Sequence, residues 1–128
     1  MRREGLPLHG CAGVRARVDR DCRNACGIVR VSGEVDLCGV SEFATAVYAA
    51  LRQARWSRRL VVDLREVTLF GAAGLHVLDD LQFRCTREAV RLWVLASDAA
   101  VIGPLRATGL DKHLCVVAAD ACHTGRGR

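Results

Sequence analysis

The sequence predicts an α/β domain built on a largely parallel sheet. Three observations carry that expectation. Short apolar or alternating runs trade places along the chain with stretches whose apolar residues recur every three or four positions. One run, Leu60 to Leu64 (LVVDL), is almost continuously apolar, as strands of parallel sheets buried on both faces are. The length of 128 residues suits one domain with one core, and no internal repeat or linker divides it.

The elements follow in order. Val14, Ala16 and Val18 alternate with Arg15, Arg17 and Asp19, which predicts a half-buried strand. Arg20 to Ala25 is polar and turn-like. Ile28, Val29 and Val31 form a second strand that closes a hairpin, with Gly33 ending the run. GEVDL (Gly33 to Leu37) leads into a connection, and Ser41 is a candidate helix cap. Phe43, Val47, Ala50, Leu51 and Ala54 make one apolar helix face. After LVVDL, a second helical stripe runs through Leu75, Leu78, Leu81 and Cys85. Val90 to Ala96 reads as a strand. Ser97 or Asp98 caps a third helix with Val101, Leu105 and Ile102 inward; Pro104 sits deep for a first turn, which predicts a short or late helix. Gly109 ends it. Leu114 to Ala118 is the last strand, and a short helix is expected from Asp120. The order is β-β-α-β-α-β-α-β, with that further helix after it. The expected organisation is a flexible lead over 1–11, a domain over 12–119 and a tail over 120–128. The expected core includes Val61, Val62, Leu64, Val94 and Val116.

Composition narrows the class. About half of the residues are apolar and a quarter charged, as in ordinary soluble domains. No apolar run approaches the roughly 20 residues needed to span a bilayer, and the N-terminal MRREGLPLHGC has no apolar signal region. Cytoplasmic residence without membrane contact is expected. The net charge is +5, carried by arginine apart from Lys112. The cluster Arg52, Arg55, Arg58 and Arg59 suits the negative end of a helix dipole. Only Trp56 lies within it to stack on bases, so direct nucleic-acid binding is not expected. The seven cysteines read as reduced thiols. Cys38, Cys85 and Cys115 fall in or beside apolar patterns and are expected in the core. Cys22 and Cys26 have a usable metal spacing, but Cys122 and His123 do not complete a tetrahedral set, so no metal is expected.

The segment Val67 to Leu78, VTLFGAAGLHVL, joins a strand to a helix through four tiny residues. It lacks the Lys and Ser/Thr of a phosphate loop, the full dinucleotide fingerprint and the serine of a nucleophile elbow. His76 has no nucleophile beside it and is expected to pair with Asp80 four residues on. Asp63 is expected to cap a turn at the sheet edge. No catalytic residue and no cofactor are expected.

GEVDL, LVVDLREVTLFGAAGLHVL and LWVLASDAAVIGPLRATGLDKHLCVV together resemble the STAS domain of anti-sigma factor antagonists, over about residues 12 to 119. The resemblance implies a mixed sheet of four or five strands with helices, and a protein that works by binding. In that family the antagonist binds an anti-sigma factor, often a serine kinase of the histidine-kinase-like ATPase class, and so frees a sigma factor. The kinase then phosphorylates a serine at the start of the helix, and the antagonist lets go. The family pattern Asp-Ser-Ser-Gly or Asp-Ser-Thr-Gly is replaced here by Gly71-Ala72-Ala73-Gly74, so Ala73 stands where the phosphoacceptor would be. Asp36 matches the family's acidic residue near that position. The implied partner surface is Asp36, Gly71, Ala72, Ala73, Gly74, Leu75 and His76. The tiny residues admit two explanations: an uncluttered helix start that a partner approaches, or close packing of the helix on the sheet. Other functions remain in view, namely a scaffold or regulatory subunit of a transporter ATPase or stress-signalling assembly, or a thiol-dependent enzyme.

Alanine has no oxygen to accept a phosphoryl group, and a phosphoserine adds about −1.5 to −2 charge at neutral pH. Incubation with a cognate anti-sigma kinase and ATP should therefore leave residues 70–76 unmodified by intact-mass analysis. A phosphate on Thr68, the nearest hydroxyl, would mean that control has moved there.

Overall fold

The computed structural model describes residues 13–21, 23, 25–112 and 115–118. The expected lead over 1–11, the tail over 120–128 with its helix, Cys22, and the Cys122–His123 pair lie outside the described residues, as does the side chain of Cys115. The elements are β1 (Val14–Asp21), β2 (Cys26–Val35), α1 (Val40–Ala54), β3 (Arg59–Phe70), α2 (Ala72–Arg87), β4 (Arg91–Ala96), α3 (Ala99–Ala107), a 3-10 turn (Leu110–Lys112) and β5 (Cys115–Ala118). They form one five-stranded sheet in the order β1-β2-β3-β4-β5. The β1–β2 hairpin is antiparallel, and β2, β3, β4 and β5 run parallel. The sheet is therefore mixed.

Helix spacing places the core. Phe43, Val47, Ala50, Leu51 and Ala54 are all buried on the inner face of α1, and Leu78, Leu81 and Cys85 on that of α2, with Leu75 packed at its margin. Burial pushes the Cys85 thiol up to about 12, so it behaves as a small apolar residue. In α3 the Asp98 carboxylate accepts the Ala100 N–H at 2.8 Å, and Val101 and Leu105 point inward. This helix starts directly after its cap and runs through Pro104, rather than beginning late. Gly109 follows its C-cap at φ +78°, a left-handed conformation that glycine tolerates best.

Two expectations about the strands are overturned. Leu60 to Leu64 is fully buried on one face only: Leu60, Val62 and Leu64 are fully buried there, whereas on the other face Val61 is half-buried and only the charged Asp63 is buried. The same alternation marks β4, where Leu92, Val94 and Ala96 are buried while Trp93 and Leu95 are partly exposed. Val116 is partly buried against the core. The three helices share the face of the buried set, and no described helix covers the other. In addition, neither β2 nor β3 stops where the pattern breaks. β2 continues through Gly33, at φ +95°, where a Cβ would overlap the Gly13 carbonyl. β3 continues past Asp63 to Phe70 by two bulges, one opposite Arg30–Ser32 and one opposite Gly33–Glu34.

Asp63 therefore lies within a strand rather than capping a turn at its end. It is the only buried charged residue among those described, at 7% exposure. Its Oδ1 accepts Arg65 Nε at 2.9 Å and the Arg65 backbone N–H at 3.1 Å, and its Oδ2 accepts Arg65 Nη2 at 2.7 Å. Arg30 Nε stands 4.0 Å from Oδ2. Burial disfavours the charged carboxylate. The hydrogen bonds from Arg65 and the charges of Arg65 and Arg30 outweigh it, and hold Asp63 below the usual carboxylate range.

A group whose folded pKa is depressed stabilises the fold fully above its unfolded pKa of about 3.9, and that stabilisation is lost as pH falls through the folded value. Arg65→Met should cost roughly 1–3 kcal/mol at pH 7 by leaving a buried acceptor short of partners. The gap between variant and native protein should close on acidification through the folded pKa, because protonated Asp63 has no charge to pair. Denaturant unfolding across that range tests both points.

Candidate partner-binding site

The expected partner residues converge at one end of the sheet. Glu34 and Val35 at the end of β2 lie beside Leu69 and Phe70 at the end of β3, and the Gly71 N–H donates to the Val35 carbonyl at 2.8 Å. The loop after β2 and the turn before α2 are thereby joined. In that loop Asp36 Oδ1 accepts the backbone N–H groups of Cys38 at 3.1 Å and Gly39 at 3.3 Å. Gly39 is the N-cap of α1 and no side chain caps that helix, so the expected Ser41 cap is not made; Asp36 instead orders the loop just before it. Ser41 lies inside the helix. Cys38 is an exposed thiol in this loop, not a core residue.

The turn at 71–74 divides by residue between the two explanations of its small side chains. A Cβ on Gly74 would lie 2.9 Å from both the Phe70 ring and Val35 Cγ1. Neither neighbour can yield easily, because both are buried and the Phe70 ring packs edge-on against Phe43, centroids 5.6 Å apart. Gly74 is therefore small so that α2 can meet the sheet. Gly71 is not constrained in this way. Its φ of −88° and ψ of −179° are extended backbone open to any residue, and an added Cβ would make ordinary contact with the Val35 carbonyl at 3.5 Å. Ala72 is exposed, Ala73 partly so, and no side chain caps α2. His76 is exposed on the next turn and Leu75 is half-buried.

Two exposed apolar side chains lie at this end of the sheet: Leu37 is 86% exposed and Leu69 is 43% exposed. The sequence reading missed both. Leu69 could have been found, because it neighbours Phe70 in a strand and consecutive strand residues point to opposite faces.

His76 does not pair with Asp80 as expected. Asp80 instead accepts Tyr48 OH at 2.5 Å and Arg84 Nε at 2.8 Å, and the Arg84 guanidinium lies 4.7 Å from the Tyr48 ring centre. Asp80 is held low, chiefly by the Tyr48 hydrogen bond. Tyr48 is pushed up to about 12, first by burial and then by Asp80. This cluster ties α2 to α1 and leaves His76 on the open surface. Thr68 is exposed, and its hydroxyl lies 3.4 Å from the Gly33 carbonyl. The described residues hold no group of three or more His, Cys, Asp or Glu that could bind a metal, and no described helix is long and apolar enough to cross a membrane.

A mixed sheet with its described helices on one face, and an exposed strand-to-helix turn of small residues, make the frame of a STAS domain. The chain belongs to the family described as "Mlab, STAS domain", whose model matches residues 18–118. Among solved structures it is similar to an anti-sigma factor antagonist from Mycobacterium paratuberculosis, at 27% identity and a TM-score of 0.73, over 88% of this chain and 94% of that one. It shares its fold with the anti-sigma factor antagonist SpoIIAA in its unphosphorylated form, at 16% identity and a TM-score of 0.65, over 89% of this chain and 98% of that one. Comparison with curated proteins returns no match.

Two glycine substitutions separate packing from access. Gly74→Ala gains up to about 1 kcal/mol of helix propensity but overpacks two buried side chains, at about 1–3 kcal/mol. The variant should melt lower. Gly71→Asp has room, adds an N-cap, and places a carboxylate at the positive end of α2, for roughly 0.3–1 kcal/mol of stabilisation. It should melt at or above the native temperature. Equal melting temperatures for the two variants would contradict this division.

Proposed function

We propose that this chain is an anti-sigma factor antagonist that engages its anti-sigma factor through the β2–α1 loop and the start of α2, freeing a sigma factor without phosphoserine control. One observation carries the reading: exposed Leu37 and Leu69 lie at the same end of the sheet as Ala72 and Ala73, a helix start that no side chain obstructs. The likeness to the mycobacterial antagonist supports the type of partner. Asp36, Gly71, Ala72, Ala73, Leu75 and His76 form the proposed contact surface, and Gly74 sets its position from beneath. The partner is an anti-sigma factor of the histidine-kinase-like ATPase class, met in the cytoplasm. The chain acts by occupancy and is not an enzyme. With Ala73 at the phosphoacceptor position, release depends on partner concentration or on another residue.

A second reading keeps the surface and changes the partner to a transporter ATPase or a stress-signalling assembly, in which the chain is a standing subunit. The missing hydroxyl favours it, because a permanent subunit has no need of a release switch. Co-purification from the native cell distinguishes the two by which ATPase is recovered.

Ala73→Glu tests the surface. A carboxylate in the first turn of α2 gains roughly 0.3–1 kcal/mol from the helix dipole, so folding should survive. Buried unpaired at an interface, the same charge costs about 2–5 kcal/mol, which weakens binding by roughly 30-fold or more. Thermal melting and a binding titration on one preparation should show an intact fold and lost affinity. Unchanged affinity in a folded variant would remove this turn from the interface.

A further inference from the structure

The sheet face away from the helices carries an ordered pattern. Strand register aligns Arg15 with Ser32, Arg17 with Arg30, and Arg30 in turn with Asp63. These side chains, with Arg65 and Glu66, line an open groove of about 850 Å³. Next to it, Val61 aligns with Ile28 and Trp93, and Asp63 with Leu95, all four of these apolar side chains being half-buried. Parallel strands normally have both faces covered, yet no described helix covers this one.

The charges in the groove do not cancel. Four arginines face two carboxylates. Asp63 is held by Arg65, and Arg30 stands between Asp63 at 4.0 Å and Asp19 at 3.8 Å. Arg15 and Arg17 are exposed and make no ion pair among the described residues. They lie two positions apart on one strand, hence about 7 Å apart along it. An extended peptide repeats its side chains at the same interval, so carboxylates at alternate positions meet both arginines at once. This chain's own ends suit the groove poorly: residues 1–12 include Arg2 and Arg3 against Glu4 alone, and the last residues include Arg126 and Arg128. A second copy, at net +5, would repel.

We propose that this face is a second docking surface, separate from residues 36–38 and 69–76, for an extended acidic segment of a protein partner. Arg15 and Arg17 bind its carboxylates, and the strip of Leu95, Val61 and Trp93 receives an apolar side chain beside them.

The probe is a fluorescein-labelled peptide of alternating glutamate and valine, titrated into the full chain at low ionic strength by anisotropy. Arg15→Ser/Arg17→Ser should weaken binding by about tenfold or more, since two charge-assisted contacts are lost. Arg52→Ser/Arg106→Ser removes the same net charge from two helices and should change affinity less than about twofold. Melting curves establish that both variants are folded. Equal losses from the two pairs would reduce the effect to net charge and overturn the proposal. So would absence of binding by the native chain, or displacement of the peptide by inorganic phosphate at matched concentration, which would indicate a small-anion site.

Discussion

The approach of α2 to the ends of β2 and β3 sets the position of everything around it. Gly74 rests on Phe70 and Val35 with no space for a methyl group. Phe70 in turn packs on Phe43 of α1, so one close contact links two helices and two strands. The Gly71 N–H on the Val35 carbonyl continues the strand pairing into the turn. The start of α2 is thus held rigidly from below while its outer side stays bare. Tyr48, Asp80 and Arg84 hold the same helix further along. A surface that receives a partner gains from this kind of preorganisation, because binding then spends little on ordering the site.

The second constraint is the one-sidedness of the sheet. With all three described helices on one face, the other must be tolerable to water or covered in some other way. Its residues reflect that: charged side chains gather over β1 and the middle of β2 and β3, and half-buried apolar ones over β4. Asp63 marks the boundary. Its burial is sustained by Arg65 from within the same bulge, so the strand can bend there without leaving an acceptor unpaired.

Much of this was legible in the sequence, and the failures have physical causes. The α1 face could be read because Phe43, Val47, Ala50, Leu51 and Ala54 follow the helical period without interruption. Asp98 and Gly109 were legible because caps depend on local backbone chemistry. The strand ends were not. Bulges at Gly33 and after Asp63 break the two-residue alternation while hydrogen bonding continues. LVVDL misled because a continuous apolar run does not distinguish burial on two faces from burial on one with apolar residues left outside. Asp36 was identified by resemblance, but its hydrogen bonds to Cys38 and Gly39 depend on the fold of the loop. Leu37, exposed where its neighbours suggested a core, is a tertiary fact with no local signal. The turn itself was legible as a set of small residues, and only the contacts at Gly74 separate packing from access.

The central claim is that residues bared at this end of the sheet, and not the helix faces, receive the partner. Amide hydrogen exchange on the chain, free and bound to the partner proposed above, measures this directly. The account predicts new protection confined to residues 35–39 and 69–77, with α3 unchanged. Protection centred on α3 and β5, with residues 69–77 exchanging as in the free protein, would contradict it.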